Sequence, residues 1–235
     1  MKNISISLVV PAYNEESIIA ESADIFCRKL SGITNDFEII FVNDASKDRT
    51  GAILDSFCSS NHKVRLINND KNCGSGASLW RGFKEARKEL VLSNFADRPF
   101  DLDDLEPILP LLDDNKIDFV VVARKDRSAN SFYRKLTSYV NLLAIKILFN
   151  LKIRDFQFVQ IYRKKILDGI NVVSTGTFVP PEIMIKLLAK GHKYKEAECK
   201  FHKRPQGFSK CGDAATIIKT LKEMFAFWFN NRCLK

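Results

Sequence analysis

Four short polar stretches carry the side chains whose types and spacing can do chemistry. Pro11-Ala12-Tyr13-Asn14-Glu15 sets an aromatic ring just ahead of a carboxylate. Asn43-Asp44-Ala45-Ser46-Lys47-Asp48 holds two further carboxylates, Asn72-Cys73-Gly74-Ser75-Gly76 is rich in glycine, and Phe95-Ala96-Asp97 ends on an acid. Carboxylates accept hydrogen bonds from hydroxyl and amide groups, or hold a hard cation. Glycines permit tight backbone at a helix start, where amide groups point outward toward an anion; the same glycines also suit a loop that merely has to turn. Farther along stand Arg124, Arg134, Lys135, Arg154-Asp155, Glu182 and the loop Arg204-Pro205-Gln206-Gly207-Phe208-Ser209-Lys210. Arginine forks and lysine point charges suit phosphate oxygens.

The elements around these stretches decide whether they can meet. Apolar, β-branched runs at 4–10, 37–42, 64–67, 90–92 and 119–123 predict strands, the first stopped by Pro11. Helical spacing fills 15–30, 48–59, the stretch from Gly76 through Ala86, and 105–112, with Asp48 reading as a helix cap ahead of Thr50. Strands alternating with helices predict an α/β fold with a mostly parallel central sheet covered on both faces. In such a sheet ligands bind beyond the carboxyl ends of the strands, which gathers the four polar stretches into one crevice. The second half predicts a long helix at 131–149, strands at 158–162 and 193–200, a helix at 182–189, a polar loop at 203–213 and an amphipathic helix at 216–229. Neither a repeat nor a low-complexity linker interrupts the chain, so one compact unit is expected.

Composition narrows the partners. Lys plus Arg number 37 against 28 Asp plus Glu, a net charge of +9 that suits anionic ligands or surfaces. The basic residues are spread out, with no aromatic-basic recognition motif, so nucleic acid is not expected. The first strand is not followed by G-x-G-x-x-G, which argues against a dinucleotide oxidoreductase. Six cysteines form no C-x-x-C pair and only three histidines are present, indicating neither a disulfide framework nor a zinc site. Free thiols, a start directly on a strand pattern and no apolar run of about 18 residues point to a cytoplasmic location.

The polar words have a family likeness. V-V-P-A-Y-N-E-E at 9–16, V-N-D-A-S-K-D-R-T at 42–50, N-x-G-x-G-A at 72–77 and R-x-x-G-x-S-K at 204–210 together resemble glycosyltransferase family 2. They are most similar to its dolichyl- and polyprenyl-phosphate mannose or glucose synthases, over roughly residues 3–212. The resemblance implies a GT-A fold and inverting transfer of a sugar from a UDP-, GDP- or dTDP-sugar to polyprenyl phosphate or a saccharide. It implies one domain over 1–213, with a nucleotide-sugar half at 1–124 and an acceptor half at 125–213, and a tail at 214–235. Pro11, Ala12, Tyr13, Glu15, Asp44, Gly76, Ala96 and Asp97 are its expected donor-binding residues, although Glu15 also suits the first turn of a helix for its own sake. Arg124 and Asp155 join Asp97 as expected catalytic residues. Arg134, Glu182, Arg204, Ser209 and Lys210 are expected to meet phosphate or acceptor. Arg134 also fits a solvated helix face, Glu182 a structural first-turn acid, and Arg204 to Lys210 a plain basic loop.

The expected metal motif departs from the family. Family members normally end the fourth strand with Asp-x-Asp, often followed by x-Gln, holding Mg²⁺ or Mn²⁺ against the diphosphate. Here Phe95 falls at the first Asp, Asp97 at the second and Pro99 at the Gln. Three readings stay open: Asp97 holds the metal together with the diphosphate, lysines and arginines take its place, or catalysis is weakened and a nucleotide-sugar binder or partner protein remains. Asp101, Asp103 and Asp104 suit either a displaced metal cluster or simply a helix start. The tail helix, with its aromatic end and Lys219, Lys222 and Arg232, suits the inner face of a membrane, docking on the domain, or a dimer contact.

Overall fold

The structure is a computed structural model that describes residues 4–125, 132–156, 158–199 and 214–230. The strands are β1 (Ile6–Ala12), β2 (Phe37–Asn43), β3 (Val64–Asn68), β4 (Leu90–Ser93), β5 (Phe119–Arg124), β6 (Val159–Arg163) and β7 (Tyr194–Cys199). They form one sheet in the order β3-β2-β1-β4-β6-β5-β7. All pairings are parallel except those of β6, which runs antiparallel to both β4 and β5. That single reversal leaves β1, β2, β4 and β5 pointing the same way. Their carboxyl ends therefore share one edge, and Asp155, just ahead of β6, returns to that same edge.

Every residue of β1 and β2 is buried, as expected of strands covered on both faces. Alternation sends Ile6, Leu8, Val10 and Ala12 into one core layer, with Ile39 and Phe41. The helices on that side are α1 (Ile19–Ile33), α2 (Thr50–Ser60) and α4 (Leu105–Ile108). Val9, Ile40 and Val42 face the second layer. It is covered by α3 (Ser75–Glu85), α5 (Phe132–Phe149), α6 (Lys164–Asp168), α7 (Val179–Ala189) and α8 (Ala214–Asn230). Gly82 lets α3 lie directly on the sheet: a Cβ there would sit 2.3 Å from Val9 Cγ1.

Pro11 does not stop β1, which continues through it to Ala12. The Val9 carbonyl accepts from Asn94 and the Ala12 carbonyl from Asp44. Alternation thus turns the Pro11 nitrogen to the β4 side, where the ladder has already ended at Val9–Ser93. A missing N–H costs nothing there. The helix expected at 182–189 begins earlier, at Val179, because Pro180 and Pro181 fit its first turn, where amides lack intrahelical partners anyway.

The tail helix α8 docks on the domain. Thr220, Met224 and Phe227 are buried, and the Phe227 ring lies 5.7 Å from the rings of both Phe149 and Phe178. Ile218, Phe225 and Phe229 remain exposed on its outer side. Among the described residues no helix is long and apolar enough to cross a membrane.

Candidate active site

The β1 and β2 ends are stitched together by side chains that accept from each other's backbone. Asn14, in a left-handed conformation (φ 53°), donates its N–H to Ser46 Oγ at 3.0 Å, and its Oδ1 accepts from the Lys47 N–H at 2.8 Å. Glu15 donates its N–H to Thr50 Oγ1 at 2.8 Å. Asp48 accepts from the N–H groups of Thr50, at 3.0 Å, and Glu16, at 3.1 Å, so from one residue ahead of the N-cap position Arg49 it holds the first amide of α2 and ties it to the turn before α1. Burial pushes the Asp48 carboxyl up, but hydrogen bonds from Thr50 and the Glu16 amide outweigh it and hold the group below the usual carboxylate range. On this bend Tyr13 and Glu15 are partly exposed, whereas Pro11 and Ala12 are buried and can offer a ligand only backbone.

Asp44 lies deeper, at 3% exposure. Its Oδ1 accepts from Asn69 Nδ2 at 2.7 Å and the Cys73 N–H at 2.8 Å; its Oδ2 accepts from the Gly74 N–H at 2.8 Å. Asn69 in turn donates to Ser78 Oγ at 2.9 Å and accepts from Arg81 Nη1 at 2.5 Å. The carboxylate expected to face a base or ribose therefore also fixes the glycine loop.

That loop is not an open anion cradle. The Ala77 N–H at the start of α3 donates to the Thr175 carbonyl at 2.9 Å. A Cβ on Gly76 would sit 2.0 Å from the Gly176 carbonyl oxygen. Gly76, expected to bind the donor, also admits the 175–176 backbone. The reason is steric: two main chains approach too closely for any side chain between them.

At the β4 end, buried Asn94 donates Nδ2 to the Phe100 carbonyl at 2.8 Å, and the carbonyl of buried Ala96 accepts from Ser22 Oγ at 2.5 Å. Asp97 is partly buried on the turn that follows. Arg98 (φ 52°) pairs through Nη2 with Glu21 at 3.1 Å, and its buried Nη1 has no hydrogen-bond partner among the described residues. Lys29 pairs with Asp101 and, at 2.7 Å, with Asp103. Asp101 also accepts from the Asp103 N–H, as a cap does. These acids thus meet a lysine and a short helix start. Among the described residues no group of three or more His, Cys, Asp and Glu is placed to hold a metal ion.

Beside this edge, Arg124 grips Asp155 with both tines of its fork, Nε to Oδ2 at 2.8 Å and Nη2 to Oδ1 at 3.1 Å. Asp155 is 2% exposed, and the Arg124 guanidinium lies 5.4 Å from the Phe158 ring centre. The Cys199 thiol nearby is pushed up to about 12 by burial and by Asp104 and Asp155. Glu182 is enclosed, at 0% exposure. It accepts from the Val173 and Ser174 N–H groups, both at 2.9 Å, and pairs with Lys186 at 2.6 Å. It stands in the first turn of α7 and anchors the 173–174 backbone. Arg204, Ser209 and Lys210, and the side chain of Arg134, lie outside the described residues.

The profile of glycosyl transferase family 2 matches residues 7–172. The chain belongs to that family. It is 24% identical over 238 residues to the dodecaprenyl-phosphate galacturonate synthase of Rhizobium johnstonii, covering 99% of this chain and 70% of that one. It is 29% identical over 231 residues to the dolichol-phosphate mannosyltransferase of Pyrococcus furiosus, covering 94% and 63%. The chain thus spans about two thirds of the length of these relatives. Among solved structures, mannosyl-3-phosphoglycerate synthase of Rubrobacter xylanophilus superposes with a TM-score of 0.73 at 18% identity, covering 99% of this chain and 76% of that one. Glucosyl-3-phosphoglycerate synthase of Mycobacterium tuberculosis, in complex with Mn²⁺, UDP and phosphoglyceric acid, gives 0.70 at 18%, covering 96% and 79%. These likenesses fix the GT-A fold.

In this family 2 glycosyltransferase the metal position fits its expected occupant poorly. Phe95 and Pro99 bring no oxygen ligand, which leaves Asp97 as the one carboxylate of the motif. Mg²⁺ demands near-octahedral oxygen coordination, which one carboxylate only begins to supply. Sequence reasoning also missed Asn69, which bonds Asp44, Ser78 and Arg81, which hold Asn69, and Thr175, whose carbonyl accepts from the start of α3. The one available signal was an amide directly after a strand. Their partners lie too far along the chain for spacing to reveal them.

Proposed function

We propose that the chain transfers a sugar from a nucleotide-sugar to polyprenyl phosphate, or to a saccharide, with inversion at the anomeric carbon. The observation that carries this reading is the common edge on which Tyr13, Glu15, Asp44 and Asp97 stand beside the Arg124–Asp155 pair, on the fold of this family. Tyr13 packs on the base or ribose, while Glu15 and Asp44 accept from its polar groups. Arg124, Arg134, Arg204, Ser209 and Lys210 meet phosphate oxygens, with Asp155 keeping the Arg124 fork oriented. In the transfer, the bond from the anomeric carbon to the diphosphate oxygen breaks and a bond to an acceptor oxygen forms on the opposite face. The electron pair leaves with the nucleoside diphosphate. A phosphate acceptor is already ionised near neutral pH, so the tasks left to the protein are positioning and charge stabilisation. Mg²⁺ or Mn²⁺ on Asp97 would add charge neutralisation at the leaving group, but no step above depends on it.

We read residues 1–213 as the catalytic domain, with its nucleotide half at 1–124 and acceptor half at 125–213. The relatives named for polyprenyl or dolichol phosphate support a lipid acceptor. The exposed Ile218, Phe225 and Phe229 on α8, with Lys219 and Lys222 on the same helix, support peripheral contact with the inner face of a membrane; a dimer is the other use of that surface. A second reading, a weakened nucleotide-sugar binder, is favoured by Phe95 and Pro99.

A thermal-shift screen of UDP-, GDP- and dTDP-sugars with and without Mn²⁺, followed by transfer to farnesyl phosphate, tests both. Stabilisation by one nucleotide class together with product formation is expected, since a ligand bound only by the folded state raises the melting temperature. Binding without transfer favours the second reading, and the absence of any shift overturns both.

A further inference from the structure

The helix expected to be a tail reaches into the site. Glu223 of α8, with a side chain only 16% exposed, turns its carboxylate onto the 175–176 backbone. Oε1 accepts from the Thr175 N–H at 3.2 Å, Thr175 Oγ1 at 3.1 Å and the Gly176 N–H at 3.1 Å, and Oε2 accepts from the Gly176 N–H at 3.1 Å. With those amides held on the α8 side, the opposite carbonyls face α3. Thr175 accepts from Ala77, and the Gly176 oxygen fills the space a Cβ on Gly76 would need. The layers are too close for side chains: a Cβ on Gly176 would lie 3.0 Å from Glu223 Oε2. Immediately before α3, the amides of Cys73 and Gly74 are held by Asp44. Lys219, one turn before Glu223, brings its Nζ to 3.7 Å from the Cβ position of Gly74.

We infer that Glu223 is a positioning residue for the nucleotide-binding crevice. Through Thr175 and Gly176 it sets the start of α3, and with it the glycine loop that Asp44 clamps. This inference rests on the reading of that crevice as the donor site. Its physical content is a run of hydrogen bonds from a partly buried carboxylate to the 175–176 backbone and on to the first turn of α3, with no rotatable side chain between that backbone and α3. Such a chain transmits displacement because both backbones are packed against it.

Amide exchange at Gly74 and Ala77, and calorimetric affinity for UDP, GDP and dTDP, test it on the full chain and its E223A, E223Q and T220V variants. T220V, on the same helix as Glu223, removes the hydroxyl that Thr220 shares with Thr177 at 2.5 Å, without touching the Thr175 and Gly176 carbonyls. E223A is expected to speed exchange at both amides and to weaken the bound nucleoside diphosphate roughly two- to thirtyfold, the span of couplings of this kind. E223Q should fall between, and T220V should resemble the wild type in both measurements. Unchanged exchange at Gly74 and Ala77 in E223A and E223Q overturns the inference whatever the affinities. Faster exchange with unchanged affinity overturns it as well. If the wild type binds none of the three nucleotides, the donor reading fails and this inference with it; nucleotide binding indifferent to Glu223 removes this inference alone.

Discussion

The two halves of the common edge each contain acids held in a different way. In the first half, Asp44 and Asp48 are satisfied mainly by N–H groups of the loops they shape. In the second, charge meets charge: Arg124 with Asp155, and Arg154 with Glu196 and Glu198. A carboxylate bound to backbone amides sets the path of a loop. A carboxylate bound to a fork sets the direction of that fork and neutralises it. The first arrangement suits a surface that must keep one shape for a base and ribose. The second suits a region that must hold cations ready for phosphate without leaving them stranded while it is empty.

The contrast predicts a graded response to losing each acid. The largest effect is expected at Asp155. Breaking a buried ion pair by removing one partner costs about 3–5 kcal/mol, because a desolvated charge loses its compensation. D155A should lower urea-unfolding stability by that amount, and stacking on Phe158 should recover only a small part. The double variant R124M/D155A should regain much of the loss, because replacing both charges by apolar groups removes the desolvation cost. A D155A protein as stable as the wild type would break the contrast on its charged side.

Asp44 comes second. D44N keeps the shape but turns an NH₂ toward amides that need an acceptor, and stranding a buried donor costs about 1–3 kcal/mol. Its signature should be local, with faster amide exchange at Cys73 and Gly74 while Asn69, whose N–H bonds to the Asn43 carbonyl, stays protected. If D44N cost more than D155A, the two halves would not differ in the way described.

Much of this arrangement was readable from the residues, and the rest fails for identifiable reasons. Buried strands announce themselves by continuous apolar runs, and the rule that ligands gather at carboxyl ends needs only strand order. Pro11 misled because its effect depends on which neighbour its nitrogen faces, a matter of register that the chain does not display locally. Gly76 shows a limit of such reading, because a glycine needed for close backbone approach looks the same as one needed for an anion. Glu182 was readable only as an even choice, since a first-turn acid and a buried anchor share one sequence pattern. The contact of Glu223 with Gly176 joins residues 47 positions apart and has no periodicity to betray it.

The smallest effect is expected at Asp48, where pH supplies a sharper test than stability alone. Removing a side chain that satisfies a helix's first amide in this way costs about 1 kcal/mol. The folded carboxyl titrates below its ordinary value, so its contribution is present above the unfolded pKa, about 3.9 for an aspartate, and is lost as pH falls through the folded value. At pH 7 both states are ionised and the difference between wild type and D48A should be at its full size. As pH drops below about 4 the unfolded chain takes up the proton first, so the difference should shrink progressively. Comparing variants cancels the similar acid response of Glu38, where hydrogen bonds from Arg65, Ser7 and the Arg87 amide outweigh burial and likewise lower the titration. A D48A deficit that holds constant or grows toward acid would mean that the carboxylate form is not what ties α2 to the β1 loop. Amide-held acids would then not be what keeps the nucleotide half in shape.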